Sequence, residues 1–199
     1  MRILSFITLF FLCFICCQKA DQHKTLNAND SSYNFRKTKW GMNKQEVRKS
    51  ENMELITENK TPYGSYQLIY IGDVASLNCK IVYDFLNDKL VRAMYKFEDK
   101  NIGMNDYISD FFKLKDTLQL KYGIPTNDDT LWTNKQYKND RSKWGQAISI
   151  GDLMICATWK LEETTISLAL MGSLNVEYDC KNYGYLMEKE REKQRSKNF

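Results

Sequence analysis

Regular alternation of apolar and polar residues predicts two β-hairpins in this chain. In "SLNCKIVYDF" apolar side chains occupy every second position from Leu77 to Phe85, and in "LVRAMYKF" from Val91 to Phe97. Because a slip of one residue turns every side chain to the other face, the loop between them must have an odd length. A three-residue turn at Asn87-Asp88-Lys89 satisfies this, as does a five-residue turn that adds the flanking leucines. The predicted pairs are Phe85–Val91, Tyr83–Ala93, Ile81–Tyr95 and, on the other face, Asp84–Arg92.

The second hairpin joins "LMICATWKL" to "TTISLAL", and a two-residue turn at Glu162-Glu163 places Trp159 opposite Ile166. Three further segments have weaker strand patterns. They are "SYQLIYIGDV" before the first hairpin, "TLWTNKQYK" as an edge strand, and a weak last strand "NVEYDC". The segment "TENKTPYGS" is predicted to be a loop.

Capping residues and three- and four-residue spacings predict the helices. Asn43 and Glu46 form a capping box at the start of a short helix, with Met42 and Val47 in the positions of a hydrophobic staple. A longer helix begins at Asn105 or Asp106 and ends at a glycine followed by a proline. Its apolar positions are Ile108, Phe111, Leu114, Leu118 and Tyr122. The segment "DRSKWGQAISIG" is predicted to be a short helix or a loop.

The same order of elements occurs twice, and "GMN" opens both predicted helices, at residues 41–43 and 103–105. The sequence therefore predicts an α+β domain over residues 38–186, with an antiparallel sheet and helices packed on one face. The domain is predicted to consist of two divergent helix-plus-hairpin repeats, with halves at about 38–100 and 101–186.

The amino terminus has the pattern of an export signal. Arg2 precedes an apolar stretch over residues 3–15, which is too short to span a bilayer, and polar sequence follows Cys17. No A-x-A-like cleavage site is present. The junction resembles the lipobox of bacterial lipoproteins, although Phe14, Ile15 and Cys16 depart from its usual letters. We predict a signal peptide at 1–16, lipidation of Cys17 (Cys16 is the alternative acceptor) and a polar tether at 17–37. The competing interpretation is an ordinary or uncleaved signal whose cysteines are apolar filler.

Composition narrows the chemistry that the chain can perform. The net charge of +4 arises from 29 basic and 25 acidic residues, and the charged tail at 187–199 mixes both signs, so nucleic-acid binding is not expected. The only histidine, His23, lies in the predicted tether. Cys79, Cys156 and Cys180 match no zinc spacing and allow at most one disulfide. We therefore expect no metal, no cofactor and no enzymatic activity, and carboxylate or lysine catalysis is a third-ranked alternative.

Two motifs carry a resemblance to known proteins. "KWGMNKQEV" resembles the helix entry of small bacterial lipoproteins of the SmpA/OmlA (BamE) kind, and "LQLKYGIP" resembles the helix exit of the same domain. The tandem α-β order is also similar to the secreted β-lactamase-inhibitor-like fold. These resemblances imply a binding scaffold in the periplasm or at the cell surface. We expect a lipid-anchored, non-catalytic envelope protein that binds an unidentified envelope protein; the alternative is a soluble secreted inhibitor or ligand-binding module.

The sheet face opposite the predicted helices is partly apolar and rich in methionine, which suits an adaptable contact surface. The residues on this face are Val82, Met94, Met154, Cys156, Ala169 and Met171. Trp132 and Trp144 are further candidates for exposure at a partner surface. The alternative is that the tether or the "DRSKWGQAIS" segment covers this face.

Overall fold

A computed structural model of the chain describes residues 33–60, 65–97 and 103–196. The eight strands of these segments form one antiparallel sheet in the order β1-β2-β3-β4-β8-β7-β6-β5. The bounds of the strands are β1 (Leu55–Lys60), β2 (Tyr66–Val74), β3 (Leu77–Leu86), β4 (Lys89–Phe97), β5 (Asn127–Trp132), β6 (Leu153–Lys160), β7 (Thr164–Leu170) and β8 (Leu174–Cys180). Each run of four consecutive strands is a meander, and β4 pairs with β8 at the centre.

Both predicted hairpins form. β6 and β7 meet with Trp159 opposite Ile166, and the bond from the Leu161 N–H to the Thr164 carbonyl closes the turn. In the first hairpin the predicted pairs Ile81–Tyr95, Tyr83–Ala93 and Asp84–Arg92 are present. Alternation of buried side chains was therefore a sufficient guide to register in the middle of these strands.

The end of the first hairpin differs from the prediction. Phe85 pairs with Leu90 rather than with Val91, and a register shift follows Asp84. The loop is a two-residue turn, because Asn87 and Asp88 both adopt left-handed φ values, 51° and 56°. Such turns match the twist of a hairpin, and the bulge takes up the residue that the odd-length prediction placed in the loop.

One strand was predicted to be a loop, and another was predicted as a strand but without its place in the sheet. The segment that begins the predicted loop "TENKTPYGS" belongs to β1, an edge strand paired with β2. Its Glu58 forms ion pairs with Lys44 and Arg48, so charge takes the place of an apolar pattern. The weak last strand is β8, which lies in the middle of the sheet between β4 and β7.

The first two helices form where they were predicted. Helix α1 (Lys44–Ser50) has the capping box of Asn43 and Glu46. The N-cap of helix α2 (Met104–Tyr122) is Gly103, two or three residues before the predicted caps, and the Asp106 carboxylate accepts from the Gly103 N–H at 3.0 Å. Helix α3 (Trp144–Ser149) follows a 3-10 turn.

The core lies between one face of the sheet, the core face, and helices α1, α2 and α3. These helices contribute Val47, Phe111 and Ile148, among other buried residues. Helix α4 (Tyr183–Ser196) departs from the predicted arrangement with all helices on one face. Its Tyr183 stacks on Arg92, whose side chain lies on the opposite side, the second face. The predicted tail at 187–199 thus begins inside α4.

The folded domain also begins earlier than predicted. Residues 33–40, here called the strap, carry Phe35 and Thr38, both of which are buried. Phe35 belongs to the core cluster and not to the tether predicted to extend to residue 37. The aromatic residues of this otherwise polar segment show no periodicity, so the burial of Phe35 could not be predicted from pattern.

Candidate functional site

The predicted partner surface is uneven. Val82 is only 5% exposed, whereas Met171 is 62% exposed at the far end of the second face. Met94 pairs with Val82, and Met154 pairs with Leu131 of the edge strand β5. Leu131 is 48% exposed, so Leu131, Met154 and Met171 form one open apolar part of this face.

The two tryptophans lie elsewhere. Trp132 pairs with Leu153, a buried core-face residue, and Trp144 is the first residue of α3. Their rings meet edge to face at 5.6 Å, and both pack against the core. The structure therefore brings Trp132 and Trp144 together, but away from the methionines of the second face.

A charged cluster occupies the centre of the second face. The Arg92 guanidinium pairs with Glu177 and lies 3.2 Å from Asp179 through Nε. It also donates to the Tyr183 hydroxyl at 3.3 Å and stacks on that ring. Asp84 is the cross-strand neighbour of Arg92, so three carboxylates surround one guanidinium. Sequence reasoning found only the Asp84–Arg92 pair, because β8 was not placed beside β4.

Burial alters the acidity of this cluster. It raises the pKa of Asp179 to about 6, against the partial opposing effect of Arg92. It also raises the pKa of Asp84. The Oδ1 atoms of both aspartates are buried without a hydrogen-bond partner in the described part of the chain. Burial thus favours the protonated forms of two carboxyl groups beside Arg92.

A second cluster lies at the centre of the core face, where β3, β4 and β8 meet; we call it the seam. Tyr83 and Tyr178 flank Ala93 in register, because Ala93 pairs with both of them. The ring of Phe35 contacts Tyr83 at 5.4 Å, Tyr178 at 4.9 Å and Tyr95 at 4.8 Å between centroids. A small side chain between two large ones leaves a socket, and the strap fills it with Phe35.

The residue after Phe35 adds a charge pair to the seam. Arg36 binds Glu51 through two nitrogens, at 2.9 and 3.2 Å, and the Tyr83 hydroxyl donates to the same carboxylate. The Glu51 side chain is only 3% exposed. Burial and the Glu51 contact together raise the pKa of Tyr83, and burial raises that of Tyr95 to about 12.

The three cysteines of the described residues form no disulfide. Cys79, Cys156 and Cys180 are free thiols, and burial raises the pKa of Cys79 to about 11. In the segments that the structure describes, no three His, Cys, Asp or Glu side chains converge in a geometry that fits a metal ion. Cys16, Cys17 and His23 lie outside the described residues.

Comparison with known proteins gives one structural match. No family model and no curated protein matches the chain. A solved structure, the 1.5 Å crystal structure of an extracellular protein containing a SCP domain from Bacillus anthracis str. Ames, is similar at 12% identity with a TM-score of 0.36. The match covers 71% of this chain and 44% of that one. Within the described residues, no helix has the length and apolar character needed to cross a membrane.

Proposed function

We propose that this chain is an exported, lipid-anchored protein of the bacterial cell envelope that acts as a non-catalytic protein-binding or assembly module. One observation carries the proposal: Arg2 and a short apolar stretch lead directly to Cys16-Cys17, and polar sequence follows. Several acyl chains on one cysteine bind a membrane stably, since each buried methylene contributes about 0.8 kcal/mol. The membrane partner is the lipid bilayer, reached through the modified Cys17.

Radiolabelled palmitate tests the anchor. In cells that produce the full chain, we expect label in the protein and its retention in the membrane fraction. Cys17→Ala should abolish both, and Cys16→Ala is the matched control that should keep them. If the label survives Cys17→Ala but is lost with Cys16→Ala, the lipidated residue is Cys16. Unchanged membrane retention of an unlabelled protein would refute lipidation.

The fold favours a scaffold made of two divergent repeats. Each half begins with a helix and contributes four consecutive strands, with α3 inserted between β5 and β6 of the second half, and the halves join through their last strands. Tyr95 and Tyr178 occupy corresponding places in β4 and β8, facing Ile81 and Ile166 of the preceding strands. This correspondence supports the proposed kinship with the tandem α-β lipoproteins and inhibitors that the two helix motifs resemble.

We further propose that a partner protein contacts the open end of the second face. Met154 and Met171 of the predicted surface lie there, with Leu131 beside them. A photo-crosslinking amino acid at position 171 should capture a discrete envelope protein in intact cells. The same probe at Leu120, which is 85% exposed on α2, is the control. Equal products from both positions, or none from position 171, would count against this surface.

The departure of Phe14, Ile15 and Cys16 from the usual lipobox favours a second candidate, a soluble secreted inhibitor or ligand-binding module. Cell fractionation separates the two candidates, because the soluble form would be found free in the periplasm or the medium. Enzymatic use of carboxylates ranks third, and its support is the raised pKa of Asp84 and Asp179.

A further inference from the structure

We propose that the seam is a peptide-binding cleft and that the strap is its built-in ligand. The ligand class is a tightly turned peptide segment in which an aromatic side chain is followed directly by arginine. A segment of this kind from a partner protein binds the seam by displacing the strap.

The first support is that the socket and the side chain that fills it come from different parts of the chain. The three rings that Phe35 contacts, Tyr83, Tyr95 and Tyr178, all belong to the sheet, and Phe35 enters the socket from outside the sheet. Phe35 makes edge-to-face contacts with Tyr83 and Tyr178 and a tilted contact with Tyr95. Such ring pairs specify an aromatic side chain, because they add stability beyond the area they bury.

The second support is charge. Glu51 lies at the carboxyl end of α1, almost fully buried, and receives its cation from the strap. If Arg36 left, a buried carboxylate would remain beside the Tyr83 hydroxyl with no cation from the strap. A buried carboxylate without its counter-charge is costly, so the vacant cleft would select a ligand with a guanidinium next to its ring.

The third support is that the strap is folded on itself. Thr38 donates to the Phe35 carbonyl through Oγ1 at 2.7 Å, and the two residues also form a backbone bridge. The Asn34 side chain accepts from the Trp40 N–H at 2.9 Å. Arg36 is held at φ 50°, in the left-handed region. Because the bonds between Thr38 and Phe35 lie within residues 31–39, a short peptide carries this part of the turn with it, which lowers the entropy cost of binding.

Displacement has a consequence that rests on the proposed lipid anchor. The strap lies between Cys17 and the domain, so its eight released residues would lengthen the connection by up to about 26–29 Å. Binding of the partner segment would thereby let an anchored domain reach farther from the membrane. The binding event itself needs no membrane, so it is tested separately from lipidation.

The test uses the full chain in detergent solution with Phe35→Ala and Arg36→Ala combined, which vacates the cleft. A fluorescent peptide of residues 31–39, SSYNFRKTK, is titrated against this variant and against the wild type. We expect binding to the variant to be about 100-fold tighter, because the tethered strap competes at roughly millimolar effective concentration in the wild type. Replacing the Phe or the Arg of the peptide by Ala should weaken binding by about tenfold or more, since each loses a buried contact.

A third substitution provides the matched control. Ala93→Leu added to the variant fills the socket, so the peptide should no longer bind. Equal affinity for variant and wild type, or for peptides with and without Phe and Arg, would overturn the proposal. A wild-type dimer that the double substitution dissolves would overturn the assignment to a separate partner, because the ligand would then be the strap of a second copy.

If the double variant does not fold at room temperature, the readout becomes refolding with the peptide present. Circular dichroism should then show recovery of the sheet with SSYNFRKTK and no recovery with a scrambled peptide. Equal recovery with both peptides, or recovery with neither, would overturn the proposal.

Discussion

An arginine takes part in a charged cluster on each face of the central strands, and the two clusters differ in the ratio of carboxylates to arginine. On the core face, Arg36 meets the single carboxylate Glu51 in a bidentate pair closed by Tyr83. On the second face, Arg92 is shared by Glu177 and Asp179, with Asp84 beside them. A balanced buried pair fixes a segment in place, whereas surplus carboxylates make stability depend on pH.

Substitution of the aromatic side chain that the strap places in the seam should lower the free energy of unfolding most. Phe35→Ala removes a ring that is 3% exposed among three tyrosines, so the free energy of unfolding should fall by about 3–5 kcal/mol. Urea denaturation measures this change. Tyr33→Ala, at a side chain that is 47% exposed, is the matched control and should change stability by less than about 0.5 kcal/mol. A loss below about 1 kcal/mol for Phe35→Ala would mean that the strap does not close the core.

Breaking the Arg36–Glu51 ion pair should cause the second-largest loss of stability. Arg36→Ala leaves Glu51 buried without its cation, and we expect a loss of about 2–3 kcal/mol. Adding Glu51→Gln should recover part of that loss, because a neutral amide remains beside Tyr83. The reference is Arg191→Ala, whose partner Glu188 lies at an exposed position and whose loss should stay below about 1 kcal/mol. Strictly additive losses for Arg36→Ala and Glu51→Gln would show that the two side chains are not coupled.

Substitution of Asp179 on the second face should change stability least, and the change should depend on pH. Burial raises the pKa of Asp179 from 3.8 to about 6 in the folded protein. Between these two pH values the folded protein therefore keeps a proton that the unfolded chain releases. The stability from this proton is present below pH 3.8 and is lost as the pH rises towards 6. Asp179→Asn removes that dependence. Its stability relative to wild type should rise by about 1–2 kcal/mol between pH 4 and pH 7. Parallel stability curves for the two proteins across this range would contradict the prediction.

Local patterns predicted more of the fold than of the site. Alternating residues placed Tyr83 opposite Ala93 and Trp159 opposite Ile166, because each hairpin's register follows from burial on one face. The capping box of Asn43 was likewise readable, since its bonds span three residues. The predicted hairpin loop was wrong because a bulge compensates for the short turn at Asn87-Asp88.

The seam and the Arg92 cluster depend on contacts between distant parts of the chain. Phe35 reaches Tyr178, and Arg92 reaches Glu177, only because β4 and β8 pair across the two meanders. No periodicity near Phe35 records that pairing. The available signal was chemical: an aromatic residue is followed directly by arginine in a mostly polar segment that otherwise has the pattern of a tether.

We propose that Cys17 becomes the lipidated first residue of the mature protein. Mass spectrometry of the protein purified from membranes tests it most directly. We expect an N-terminal peptide that begins at Cys17 and carries the added mass of a diacylglyceryl group, with or without a further acyl chain. An unmodified peptide that begins beyond residue 17, or one that still contains residues 1–16, would contradict it.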